Sequence, residues 1–431
     1  MSCYHRPRRF APSHANHPLW RKWLAKHFET RDLPAHFSPQ KWLQDVEDVQ
    51  RHNANPHKTD VWELYESAGT EDPAFYLEET GDLPPTDAEI MDAYHNEQHQ
   101  KATRDAMYGA GAAAPFWPQS SGDIDYRSYK DSTGKAISVL TPIKNQNKCG
   151  CCYIFAVTAA LEAFIALSTK TTAASIAVQP FLNCFEDALQ QHCEGGNSLT
   201  LIENMTILGD INKKVFAKAS NNTGSSVDDF VFNDAMINAA CDAIITNCDT
   251  VKTDPRCKNP THTLMCNALL PCEKAGTCSC NYEYDNTCPA SAKSGCTTPL
   301  KMNYLIVPFD ISLPLLGMRA SDFKTREKVF EATLRTYGPF KIAIWAPPEL
   351  FKYKSGIFQD DRIYTDTNHA VVLVGVYTSV IYTDYWILRN SWGDKWGEGG
   401  YFKLPKGDDG WGPGGPLNMF GQLAVVFAPV P

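Results

Sequence analysis

The chain has 431 residues, 43% hydrophobic and 21% charged, with a formal net charge of −9. That length exceeds what one core ordinarily holds, so two or three domains are expected. An acidic chain with no concentrated basic face argues against nucleic-acid binding, and no apolar run is long enough to span a bilayer.

Residues 1–17 form a basic, polar extension without the apolar stretch of a signal peptide. Helices are expected from there to about residue 115. The stretch 17–29 sets Trp20, Trp23 and Leu24 on one helical face. Ser38 followed by Pro39 has the form of an N-cap with proline at the first helical position, and Trp42, Val46 and Val49 follow at i, i+4 and i+7. Thr86 and Glu89 fit a capping box. The small residues at 109–115 read as a flexible linker and a processing boundary.

Residues 138–148 read as a loop. The next stretch, 152–168, is apolar nearly all round, as a buried helix would be. Nine of the fifteen cysteines crowd between positions 241 and 296. Such density points to disulfides and an oxidising compartment, hence a lysosomal, vacuolar or extracellular location. Sequons at Asn204 and Asn221 agree with export and glycosylation. Strands are expected at 341–345, 370–376, 385–388 and 423–427. The fold class is therefore α+β, helices first and a sheet or barrel after.

A cysteine nucleophile needs a stabilised thiolate, a base, and a group that orients the base. Cys152 stands where a loop meets a helix, and a helix N-terminus lowers a thiol pKa. His369 opens an apolar strand that would hold its imidazole rigidly, and Asn390 in the run RNSWG is the candidate orienting group. Gln146, six residues before Cys152, offers a side-chain N–H beside the Cys152 backbone N–H, the donor pair that acyl transfer requires.

These residues carry a resemblance. QNKCGCCYIF resembles the active-site signature of the papain and cathepsin family. NHAVVLVGV resembles that family's histidine motif and YWILRNSWGDKWGEGGYFKL its asparagine motif. Cys193-Glu-Gly-Gly196 resembles the family's C-N-G-G, and Ile124-Asp-Tyr-Arg127 its mature N-terminus. Trp42, Asp45, Val49 and Asn53 keep part of the spacing of its inhibitory propeptide helix.

The resemblance implies a two-lobed peptidase domain at 116–431, preceded by a helical inhibitory propeptide at 18–115. It implies a cysteine endopeptidase made as a zymogen, with Cys152, His369, Asn390 and Gln146 as the catalytic set. Trp392 would shield the His–Asn bond. Gly195, Gly196 and Asn368 would bind an extended peptide or protein substrate. Val425 would lie near the base of a side-chain pocket and favour apolar groups. A Cys149–Cys193 disulfide is implied, as are a single-chain enzyme and no cofactor. Two departures stand in the core motif: Cys151 replaces a small residue, and Tyr153 replaces a tryptophan. The 217 residues from Cys152 to His369 exceed the 130–150 of the family, so an insertion is expected at about 197–298.

Cys149-Gly-Cys-Cys152 is also a C-x-x-C, which would suit a thiol oxidoreductase but gives no use to His369, Asn390 or Gln146. A catalytically silent binding protein on the same fold would ordinarily lack the nucleophile. The crowded cysteines contain one C-x-C and no paired C-x-x-C, which favours disulfides over zinc. The glycines of 410–416 lack the lysine of a phosphate loop. Nine of twelve histidines precede residue 100, so acid would charge the N-terminal segment and loosen it by repulsion.

Overall fold

In a computed structural model the described residues are 15, 17–28, 33, 37–65, 67–70, 80–83, 122–147, 149–173, 175–176, 178, 192–207, 323–378, 383–407, 410–412, 414–421 and 424. The capping box, the small-residue linker, nearly all of the cysteine-rich insertion and Val425 lie outside them, as does the expected strand at 423–427 apart from Ala424.

The N-terminal unit begins with α1 (Pro18–His27) and α2 (Pro39–Asn53). Proline suits a first helical position because its missing N–H would have no intrahelical partner there. The orphan donors behind it are capped: the His17 side chain accepts from Leu19 N, and Ser38 Oγ from Lys41 N, both at 3.2 Å. The apolar faces meet in an aromatic cluster around the fully buried Trp42, with Trp20 edge-on at 5.0 Å. At the end of α2, Asn53 donates to Trp62 O and accepts from Trp62 N. This clamp fixes the short strand β1 (Asp60–Trp62).

The larger unit starts with β2 (Ile124–Asp125) and α3 (Cys152–Thr169). Lys170 closes α3 in the left-handed conformation, at φ 53°. Then come α4 (Ser198–Ile207), α5 (Phe323–Tyr337), β3 (Phe340–Ile344), β4 (Tyr353–Gly356), β5 (His369–Tyr377), β6 (Tyr385–Arg389) and β7 (Tyr401–Pro405). All sheet pairings among them are antiparallel: β5 pairs β6, β6 pairs β7, and the other edge of β5 is shared by β3 and β2.

Side chains alternate along a strand, and β5 uses this to serve two cores. Ala370, Val372 and Val374 pack with α3. Val371 and Leu373 pack with Phe340, Trp386, Phe402 and α5. The register shifts between Leu373 and Gly375, so Val376 falls back to the second core. Because both faces are covered, β5 reads as a continuous apolar run.

Strand pairing and an ion pair join the units. β1 pairs antiparallel with β4, and Asp45 of α2 takes Lys352 at 2.7 Å. Inside the larger unit, the buried Glu162 of α3 gathers Lys144 Nζ at 2.8 Å, Thr141 Oγ1 at 2.5 Å and Ile176 N at 2.6 Å. Arg389 of β6 donates to the carbonyls of Thr141 and Pro142 in the same loop. This network fixes the loop that leads to α3.

Candidate active site

Cys152 is the first residue of α3, and His369 the first of β5. Asn390 follows the end of β6. Because β5 and β6 run antiparallel, with Val372 opposite Arg389, the start of one lies beside the end of the other. His369 Nε2 and Asn390 Oδ1 are 2.8 Å apart. Ser391 N also donates to that oxygen at 2.8 Å, which fixes the amide orientation. An oxygen that already accepts leaves Nε2 as the donor, so the ring is protonated there and Nδ1 is its lone-pair nitrogen. Nδ1 is buried with no hydrogen-bond partner. The sulfur of Cys152 accepts from Ala370 N at 3.4 Å, so thiol and imidazole share one corner.

Trp392 stacks on His369 at 4.8 Å and on Phe351 at 4.2 Å, covering the His–Asn bond. Gln146 is held by Ser391 Oγ, which donates to its Oε1 at 2.6 Å, and its Nε2 donates to Cys149 O at 3.0 Å. A Cys149–Cys193 disulfide ties this loop to Gly195 and Gly196, and Gly150 N donates to Cys193 O at 2.6 Å. Cys151 is buried, and so not open to the oxidants an exposed thiol would meet. A Cβ on Gly196 would stand 2.3 Å from the Tyr153 ring, so only glycine fits beside the tyrosine.

Residues 80–83 of the N-terminal unit occupy the cleft. Gly81 N and Asp82 N donate to Asn368 O at 2.8 and 3.1 Å. Gly196 N donates to Gly81 O at 2.8 Å, and Leu83 N to Gly196 O at 2.9 Å, a parallel bridge centred on Asp82. Gly81 passes so close to Gly150 O that a Cβ there would lie 1.9 Å from it. No motif assigns a role to Asp82 or to its partners Lys341 and Ser198. A lysine inside the apolar strand FKIAI is the one sequence signal that marks them.

The covering segment sets the electrostatics. Cys152 and His369 have no measurable exposure. Burial pushes the Cys152 thiol well above its ordinary range, and the nearby Asp82 carboxylate adds to this. Burial also lowers the His369 pKa to about 4, against the pull of Asn390. In this state the two groups are a neutral thiol and a neutral imidazole, whereas attack requires a thiolate. Among the described residues no cluster of His, Cys, Asp or Glu could hold a metal ion.

Residues 123–259 and 263–413 match the papain family cysteine protease. A stretch of 74 residues is 42% identical to Cathepsin B-like CP2 of Giardia intestinalis; it is 17% of this chain, which thereby spans a quarter (25%) of that relative. Digestive procathepsin L 3 of Tenebrio molitor larval midgut is similar in fold, with a TM-score of 0.56 at 17% identity over 95% of this chain and 97% of that one. The proform of the ragweed pollen allergen Amb a 11, a cysteine protease, superposes with a TM-score of 0.54 at 16% identity, over 100% of both chains. With two thirds of its length matched and a papain-like fold, the chain belongs to the papain family of cysteine proteases.

Proposed function

We propose that the protein is a cysteine endopeptidase made as a zymogen, with residues 18–115 as its inhibitory propeptide and 116–431 as its peptidase domain, following an N-terminal extension at 1–17. The observation that carries this reading is the joint geometry of one corner. The sulfur of the helix-terminal Cys152 accepts from Ala370 N beside His369, His369 Nε2 meets Asn390, and the backbone groups flanking them are occupied by residues 80–83 of the same chain.

Once that segment leaves, Cys152 gives its proton to Nδ1 of His369, and the thiolate is favoured by the N-terminus of α3. The sulfur attacks the peptide carbonyl and forms an S–C bond. The oxyanion is met by the Cys152 backbone N–H and the Gln146 side chain. His369 then protonates the departing nitrogen as the C–N bond breaks, and water hydrolyses the thioester by the reverse use of the same base. Asn390 keeps the Nε2–H tautomer throughout, so Nδ1 remains the nitrogen that exchanges the proton. An extended peptide substrate would pair with Gly196 and Asn368, the groups the propeptide now uses.

Peptide hydrolysis by the acid-processed chain tests this, with and without an epoxide inhibitor of thiol proteases. Cleavage that the epoxide abolishes supports it; an inert processed chain refutes it. A matched pair of peptides, one with a free and one with an amidated C-terminus, separates the modes. Equal internal cleavage of both fits an endopeptidase, while stepwise trimming of the free carboxylate alone does not.

A further inference from the structure

Lys341 is out of place by the rules that build its strand. It lies in the middle of β3, opposite Val372, with its side chain 4% exposed. A buried ammonium is costly unless an anion meets it. Its partner is Asp82 Oδ2 at 3.0 Å, and the other oxygen of that carboxylate accepts from Ser198 Oγ at 3.1 Å. Lys341 comes from the strand side of the cleft and Ser198 from the start of α4, so the carboxylate bridges the two walls. Among the described residues Asp82 is the one acidic group in ion-pair range of Lys341.

Asp82 reaches this position through its backbone. Its two neighbours exchange hydrogen bonds with Gly196, and its own N–H meets Asn368 O. These are the groups assigned above to an extended substrate. When the propeptide departs, it takes that carboxylate with it, while Lys341 and Ser198 remain in the wall. The vacated place then has a fixed cation and a hydroxyl donor, and it sits under one definite residue of any peptide that pairs with Gly196.

We infer that Lys341 and Ser198 form a receptor for a carboxylate side chain, so that the processed enzyme prefers aspartate or glutamate at the substrate residue that pairs with Gly196. The propeptide would inhibit by presenting the favoured side chain on a segment of the chain itself. This inference rests on the peptidase reading above. It differs from the apolar preference read from Val425, which lies outside the described residues.

The test is cleavage profiling of the acid-processed full chain on a mixed peptide library, followed by two fluorogenic peptides that differ only by Asp or Asn at the enriched position. The expected result is enrichment of acidic residues at one fixed distance from the cleaved bond. The Asp peptide should exceed the Asn peptide in kcat/KM by about 10- to 100-fold, the worth of one charge-assisted hydrogen bond. In Lys341→Gln that ratio should fall to near one, and Lys341→Glu should favour a lysine peptide instead. Should either variant fail to fold, the peptide pair on the unaltered enzyme still decides. Active enzyme without an acidic preference overturns this inference alone. A processed chain that cleaves no peptide, and whose Cys152 takes no epoxide, overturns the peptidase reading and this inference with it.

Discussion

Asn390 makes no contact with the sulfur; it sets which nitrogen of His369 holds the proton. Its removal should therefore cost less than removal of the base itself. We predict that His369→Ala lowers kcat/KM of the processed enzyme by at least ~100-fold, the scale of general base catalysis. Asn390→Ala should lower it by a smaller factor and narrow the pH profile. Cys152→Ser should abolish turnover, because a hydroxyl is not ionised in the same surroundings. Cys151→Ser should leave turnover largely intact, since no step of the reaction uses that thiol. Steady-state kinetics of the four variants checks the order.

At the scale of elements, the long patterns were legible and the short ones were not. The face of Trp20, Trp23 and Leu24 marks α1 within two residues, the Ser38–Pro39 pair marks the start of α2, and β5 stands out because eight consecutive positions are buried. The strands β1 and β4 have three and four residues, too few for an alternation to show. They exist because Asn53 fixes one edge and the β5-to-β7 sheet supports the other. Cys152, His369 and Asn390 were legible because each sits in a local motif. The Asp82–Lys341 contact was not, since it joins residues 259 positions apart and neither has a motif of its own.

The N-terminal unit itself depends on the aromatic cluster of α1 and α2. Trp42→Ala should destabilise that cluster by ~3–5 kcal/mol and free residues 80–83 from the cleft. The expected outcome is an intact chain whose Cys152 reacts with alkylating reagents at neutral pH, as thiol titration would read. An unreactive variant with native stability would show that the cluster does not hold the segment in place.

For the whole molecule, the sign of the acid response follows from the buried groups. His369 is lowered to about 4 while covered, so the covered state binds its proton more weakly than an open one. The covered state therefore loses stability as pH falls from about 6.5 towards 4, by up to ~1.4 kcal/mol per pH unit. Asp82 acts with the opposite sign: burial raises its carboxyl, with Lys341 and Ser198 pulling it back, so protons do not drive it out. Repulsion among histidines of the N-terminal unit does not describe His52, whose Nε2 lies 3.0 Å from Asp60 Oδ1. We predict that release of the segment in the Cys152→Ser chain, followed by proteolytic sensitivity, rises between pH 6.5 and 4. His369→Ala should flatten that rise, and His52→Gln should leave it in place.

One measurement bears most directly on the account: the site and pH dependence of covalent modification by an epoxide inhibitor of thiol proteases, mapped by mass spectrometry on intact and acid-processed chain. The account predicts one adduct, on Cys152, in the processed chain and almost none in the intact chain at neutral pH. An adduct on Cys151, or equal labelling of Cys152 before and after processing, would contradict it.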